Sequence, residues 1–336
     1  MSKENQGIWS NPLFSSKVKS PNVKPPEMLI GYLIGPFGAL LSSGIFTSFL
    51  NKYFTDVLQL DTAFLSGLQL VSTIFIVAAN LIVGQLIERT RTLAGKARPW
   101  VLLSALTLSV ASLLMFVVPF EGTAKLVWIA IAFNLYYAVA YPIYNTANST
   151  MVPVSTRDSG QRATLASFTN IAGLGVMGVG SMIFPMLVSN VMGTNQNMWF
   201  LVMLGVAIFT ALTIFLQYQF TRERVTEESM GDNAAAEQKA GSPSIGDQLK
   251  AVTSEKWWWI AIIFYLVFQW SGAMKNGSMA YFCQWVVDST GIAGGWGTVQ
   301  TILAVLAPSP RRLPLHLWCL WPISSANAPW SSSVWS

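Results

Sequence analysis

The chain has 336 residues, of which 52% are hydrophobic and 10% charged, and its mean hydropathy is +0.47. A soluble domain carries about twice that share of charge, so a water-soluble globular class is excluded. The net charge of +5 resides in loops between apolar runs, which excludes a nucleic-acid footprint, and two isolated cysteines, Cys283 and Cys319, are too few for a disulfide framework or a metal cluster.

Residues 1–27 are polar and proline-bearing, without the apolar core of a signal peptide, so the first span is expected to act as the insertion signal. Apolar runs then predict membrane spans at Met28–Leu50, Thr62–Ile87, Pro99–Phe120, Lys125–Asn148, Arg162–Asn190, Asn197–Phe220 and Trp257–Val287. An eighth begins near Gly295 and stops at about Ala307. The class is therefore an all-α polytopic membrane protein.

Between spans two and three lies Gly84–Trp100, GQLIERTRTLAGKARPW, where Arg89, Arg91, Lys96 and Arg98 face only Glu88. Lys and Arg resist translocation, so this loop marks the cytoplasmic face. Alternating the sides from there puts seventeen of the twenty Lys and Arg inside, with only Lys52 and Lys125 outside and Lys275 within span seven. The amino terminus is expected in the cytoplasm. This disfavours a seven-helix receptor, whose amino terminus lies outside.

Residues 221–256 form a composition break in which twelve of 36 are charged, read as a cytoplasmic linker between an amino-terminal bundle (28–220) and the start of a second (257–307). Ser244 and Asp247 could cap a short helix whose Ile245, Leu249 and Val252 form an apolar stripe on the membrane surface; a solvated tether is the other reading. The tail from Pro308 has five Pro, four Trp, the chain's one His and no acid in 29 residues. It is expected to be aberrant, from a shifted reading frame, and the 336-residue product is then a truncated carrier that does not transport. A real but odd carboxyl terminus is the alternative.

Polar residues inside spans are costly against lipid and so point to protein interiors or wet cavities. In span four, Asn134, Tyr137, Tyr141, Asn145 and Asn148 recur at helical spacing. Amides and phenols offer the donors and acceptors that match sugar hydroxyls, although such residues also join helices to one another. Asn80 in span two is a further candidate. Span seven adds Gln269, Trp270, Lys275, Asn276 and Gln284; Lys275 either serves function or snorkels to an interface. The Gly173–Gly180 run reads as helix packing rather than a dinucleotide fingerprint, as do Gly31, Gly35 and Gly38, and both spans are expected to carry glycine seams. An enzyme is disfavoured, because no carboxylate pair lies in the membrane and His316 is alone in the tail.

These residues resemble a known family. The Thr90-Arg91 and Gly95-Lys96 pairs with Arg98-Pro99-Trp100 look like the helix two–three loop of the glycoside–pentoside–hexuronide:cation symporters, melibiose-carrier relatives in the major facilitator superfamily. Gly35–Gly38, Tyr53–Val57, and the stretch from Tyr141-Pro142 through Met151–Pro153 to Asp158 and Arg162 agree, so the resemblance covers 28–307. It implies a twelve-helix fold of two rocking bundles, here with a complete amino-terminal bundle and a second cut short after about two helices. It also implies a monomer in the cell membrane that takes up a sugar or glycoside with Na⁺ or H⁺ and needs no other cofactor.

The resemblance places Tyr141 at a sugar-cavity position, Asn170 where the best-known member has a sugar-contacting arginine, and Gly84, Arg91, Lys96 and Arg98 in the conformational loop. Where the family has acidic cation ligands, this chain carries Ile76, Asn80 and Asn145, and Leu41 replaces a helix-one aspartate. Amide oxygens of Asn80 and Asn145 could hold Na⁺ weakly but carry no proton. Sugar recognition is thus expected to survive better than cation coupling, and an uncoupled facilitator, a carrier of another solute or an inactive fragment remain open.

Overall fold

The computed structural model describes residues 15–92, 94–226, 253–287 and 295–306. The Ile245–Val252 stripe and the tail from Pro308 lie outside the described residues. The principal helices are α1 (Glu27–Val57), α2 (Thr62–Arg89), α3 (Arg98–Leu114), α4 (Gly122–Ser155), α5 (Ser159–Leu187), α6 (Gln196–Gln219), α7 (Lys256–Trp285) and α8 (Gly295–Leu306). Five of them, α1, α2, α4, α6 and α7, are long and apolar enough to cross a membrane. No strand occurs among the described residues, where the β pairing is an isolated bridge from Thr92 to Gly95.

Short polar residues start the helices where an orphan backbone donor needs an acceptor. Asp61 accepts the Ala63 N–H at 3.1 Å, Asp158 that of Gln161 at 2.7 Å, and Asn195 that of Asn197 at 3.0 Å. Two π-helical turns flank prolines. Glu27–Ile34 precedes Pro36 in α1, and Leu135–Ala140 precedes Pro142 in α4. Proline lacks an N–H and clashes with the carbonyl four residues back, and the wider turn relieves both.

The wider turn has a consequence for the polar stripe. One extra residue per turn rotates the two ends of α4 by roughly 100° relative to a continuous α-helix. Asn134, before the π turn, therefore does not continue the line of Tyr141, Asn145 and Asn148, and its Nδ2 folds back to the Ala130 carbonyl at 2.9 Å.

Calling the end that carries the amino-terminal segment the near end, α1 runs from near to far, packing on α5, α6 and α7, while α3 lies on α4 and α6. At the near end the approach of α1 to α6 is set by glycine. A Cβ on Gly31 would stand 2.6 Å from the Phe220 carbonyl, one on Gly35 2.5 Å from Gln217 Cβ, and one on Gly38 2.7 Å from Thr210 Cα. The seam expected in span one is real. In α5 the glycines do not do this: Gly173 has open space, Gly175 and Gly180 meet Phe37 and Leu41 at ordinary contact distances of 3.5 and 3.7 Å, and the side-chain environment of Gly178 lies outside the described residues.

At the far end large rings replace glycine. Tyr53 packs against Phe116 at 4.7 Å and Trp199 at 5.1 Å, Phe46 against Tyr136 at 4.4 Å, and Phe49 against Phe184 at 5.1 Å. Phe116 belongs to this cluster, which explains why α3 ends at Leu114 rather than at Phe120: the chain turns there to bury the ring. Lys125 donates to the Leu58 carbonyl at 2.6 Å and Trp128 to that of Val117 at 2.6 Å, tying the far-end loops together. α2 presents Leu70, Ile74, Val77 and Leu81 outward, an apolar face that suits lipid and not water.

Candidate functional site

Tyr136, Tyr137 and Tyr141 form a group where α4 meets α1. Tyr136 is buried against Phe46, and its hydroxyl lies 3.3 Å from Ser42 Oγ. The Tyr141 ring stacks on that of Tyr136 at 6.0 Å, and Tyr137 meets Phe133 at 4.6 Å and Tyr136 edge-on at 5.0 Å. Tyr137 and Tyr141 are half-buried, and among the described residues neither hydroxyl makes a hydrogen bond. A fixed ring with an uncommitted hydroxyl can both stack on an apolar solute face and bond its polar edge.

The remaining candidates divide. Asn145 is exposed on the same part of α4. Asn148 serves packing, since Gln217 Nε2 donates to its Oδ1 at 2.6 Å while Tyr144 donates to Gln217 Oε1 at 3.2 Å, a buried bridge from α4 to α6. Asn134 Oδ1 is buried and unpartnered among the described residues. Asn80 is exposed and bonded to its own helix through the Ile76 carbonyl at 2.8 Å. Asn170, Trp270 and Lys275 are exposed. Among the described residues, no hydrogen bond or ring contact joins Asn80, Asn145, Asn170, Trp270 or Lys275 to the tyrosine group.

The loop candidates form a different assembly. Gly84 has open space around it and Arg91 is exposed. Lys96 and Arg98 sit at the start of α3, where the buried Glu223 carboxylate accepts three successive backbone N–H bonds, from Lys96 at 2.9 Å, Ala97 at 2.8 Å and Arg98 at 2.7 Å. A helix amino terminus is a ready anion site, and Glu223 is the anion. Gly95, at φ +108°, is required twice over, because a Cβ there would meet the same carboxylate. The Arg98 guanidinium is buried, donates to the Tyr218 carbonyl at 3.0 Å and lies 4.7 Å from the Tyr218 ring.

Next to it, Arg224 pairs with Glu27 at 2.7 Å, both buried, and also donates to the carbonyls of Ser20, Asn22 and Ser155. The segment read as linker thus begins with residues docked on the bundle, pinning the amino-terminal segment, α1 and α4 to the end of α6. Arg224→Ala is expected to strand the Glu27 carboxylate and destabilise the bundle by about 3–5 kcal/mol, while the double variant Arg224→Met with Glu27→Leu recovers most of that loss. Chemical denaturation of the two in detergent checks the difference.

Sequence reasoning missed Glu223, Arg224 and Glu27 as partners, because a charged stretch averages to a solvated one. It also placed Lys52 in an outer loop. α1 runs on to Val57, however, so Lys52 stands in its last turns, buried and paired with Asp56 at 2.6 Å. The four-residue spacing of that pair was the available signal.

Comparison with known proteins bears on this arrangement. Residues 31–318 match the family model described as MFS/sugar transport protein. Among the curated relatives, the "Isoprimeverose transporter" of Lactiplantibacillus pentosus is 27% identical over 85% of this chain and 59% of its own length. The "Putative glycoside/cation symporter YagG" of Escherichia coli (strain K12) is 26% identical over 78% of this chain and 56% of its own. A "Putative 2,3-dihydroxypropane-1-sulfonate exporter" of Salmonella typhimurium is 26% identical over 79% and 56%. The chain spans between half and two-thirds of the length of these relatives, which are transporters and not enzymes. With its membrane-crossing helices and a match over most of its length, the chain is a multi-pass membrane protein that belongs to the MFS/sugar transport protein family, in its glycoside–pentoside–hexuronide:cation symporter branch.

Proposed function

We propose that this chain supplies the sugar-binding helices of a glycoside:cation symporter that works by alternating access in the cell membrane, with its amino terminus in the cytoplasm. The observation that carries the reading is the pair Tyr137 and Tyr141, half-buried against neighbouring rings with hydroxyls that bond nothing among the described residues. A pyranose offers an apolar face to such rings and hydroxyls to such phenols. The orientation rests on the basic residues of the near-end loops. Asn145, exposed beside Tyr141, is the proposed further sugar contact, with Asn80, Asn170, Trp270 and Lys275 completing the path.

Coupling is the weaker part of the chemistry. Asn80 uses its Nδ2 on the Ile76 carbonyl, which leaves its Oδ1 to act as a neutral Na⁺ ligand with Asn145. Neutral oxygens bind Na⁺ weakly and carry no proton. An uncoupled facilitator is therefore the second reading, favoured by Ile76, Asn80 and Asn145 in place of acids, and the exporter name of one relative makes a non-sugar solute its natural extension.

The test is equilibrium binding of labelled glycosides to the purified chain in Na⁺ and in choline, at two pH values. Symport predicts binding strengthened several-fold by Na⁺ or by protons; equal binding in every buffer favours the facilitator. Tyr141→Phe is expected to weaken glycoside binding about five- to tenfold, the effect of one lost hydrogen bond in a desolvated site. An unchanged affinity would remove Tyr141 from the site.

A further inference from the structure

Among the described residues, the start of the second bundle packs on the first through α7 against α1 and α8 against α5. α7 is exposed or half-exposed from Lys256 to Met279 wherever its side chains are described, and it buries only Ala280 and Cys283, in its last two turns. Those turns lie against the far end of α1. Lys52 Nζ bonds Asp56 on its own helix and Gln284 on α7, and it lies 5.4 Å from the Tyr281 ring of α7 and 4.8 Å from the Trp296 ring of α8. Thr55 Oγ1 lies 3.0 Å from the Tyr281 hydroxyl and donates to Asp56 Oδ1 at 2.9 Å. Beside them, Gly297 of α8 lies so close to the Pro185 carbonyl of α5 and to Ser189 just beyond that helix that a Cβ would collide.

We propose that Lys52, Thr55 and Asp56 of α1, with Tyr281 and Gln284 of α7, form a polar latch that holds the far end shut and must break for that end to open. The proposal rests on the carrier reading above, because only a carrier has to open there. The distribution of partners suits a reversible latch. Lys52 is nearly fully buried, and a lone buried ammonium would be too costly to separate from its partners. Asp56, four residues on, travels with it, so parting the helices costs Lys52 only the Gln284 carbonyl and the two ring faces. The charge stays paired in both states, and what breaks is a set of weak bonds to α7 and α8. The adjoining cavity, lined by Lys52, Asp56, Gln284 and Trp296 among others, measures about 110 Å³. That is far below the roughly 300 Å³ of the smallest usual ligand pockets, so the contact is a closure and not a second sugar site.

The test places a reporter at Val57→Cys, which lines that cavity, in a chain with Cys283→Ser and Cys319→Ser. Labelling by a membrane-impermeant maleimide is followed in vesicles from each side. Lys52→Met, and separately Tyr281→Phe with Gln284→Ala, are each expected to raise the labelling rate from the Lys125 side about fivefold or more, the population change of one net hydrogen bond. The second variant removes no charge and leaves α1 untouched, so it reads the latch even if Lys52→Met folds poorly. A rise below twofold in the second variant overturns the proposal. Labelling needs no substrate, so a failed sugar assay with faster labelling would sink the sugar reading and leave the latch standing.

Discussion

Glu223→Ala is expected to destabilise the six-helix bundle by about 3–5 kcal/mol, one of the largest single-residue effects in the chain. The carboxylate is fully buried and accepts three backbone N–H bonds at 2.7–2.9 Å at the start of α3. Alanine would leave those donors without their carboxylate acceptor, and would remove the negative charge that the helix terminus favours. Glu223→Gln keeps the shape and an acceptor oxygen but loses the charge, so its cost is smaller, about 1–2 kcal/mol. For a bundle of this size the alanine variant corresponds to a fall in melting temperature of roughly 10 °C. Thermal unfolding in detergent measures both, and an alanine variant that melts with the parent would refute the capping role.

The second large effect is at Gly35. A valine there would set its Cβ 2.5 Å from Gln217 Cβ and 2.7 Å from the Gly31 carbonyl. Neither neighbour can yield. The carbonyl belongs to α1's own backbone, and Gln217 is fixed by Tyr144 and Asn148. Separating α1 from α6 would then break the bridge to α4 as well, so Gly35→Val is expected to cost about 2–4 kcal/mol. The contrast is Gly173→Ala on α5, where nothing lies within 4 Å of the added carbon and the expected change is within about 0.5 kcal/mol. Equal melting of the two variants would mean that the α1–α6 seam is not where the helices are held.

These two sites differ in how far the sequence betrays them. The spans are legible because twenty apolar residues without a charge have few other uses, and the Gly31–Gly35–Gly38 seam is legible because glycine at that spacing permits close approach. The pattern does not name the partner, however, which is why the α5 glycines look the same on paper although Gly173 meets nothing and Gly175 and Gly180 meet side chains only at ordinary contact distance. Glu223 was hidden by its neighbours: six docked residues at the head of a long charged stretch have no separate composition. The GKARP loop signals a helix start, but the acid that caps it lies more than a hundred residues away, and only the fold brings them together.

The candidate site was legible in part. The spacing singles out Tyr137 and Tyr141, and both are half-buried beside Tyr136. Counting in threes and fours also added Asn134 and Asn148, and here the arithmetic failed for physical reasons. The π turn ahead of Pro142 changes the helical period at Leu135–Ala140, and Asn148 is taken up by Gln217. Proline inside an otherwise periodic run was the warning.

Glycoside binding requires Tyr141 to face a water-filled path that a glycoside can enter. Tyr141→Cys, in a chain with Cys283→Ser and Cys319→Ser, tests this with a small water-soluble thiol reagent in native vesicles. Ready labelling is expected, slowed several-fold by millimolar glycoside and not by a non-sugar polyol. A cysteine that reacts only with lipid-soluble reagents, or at a rate indifferent to glycoside, would contradict it.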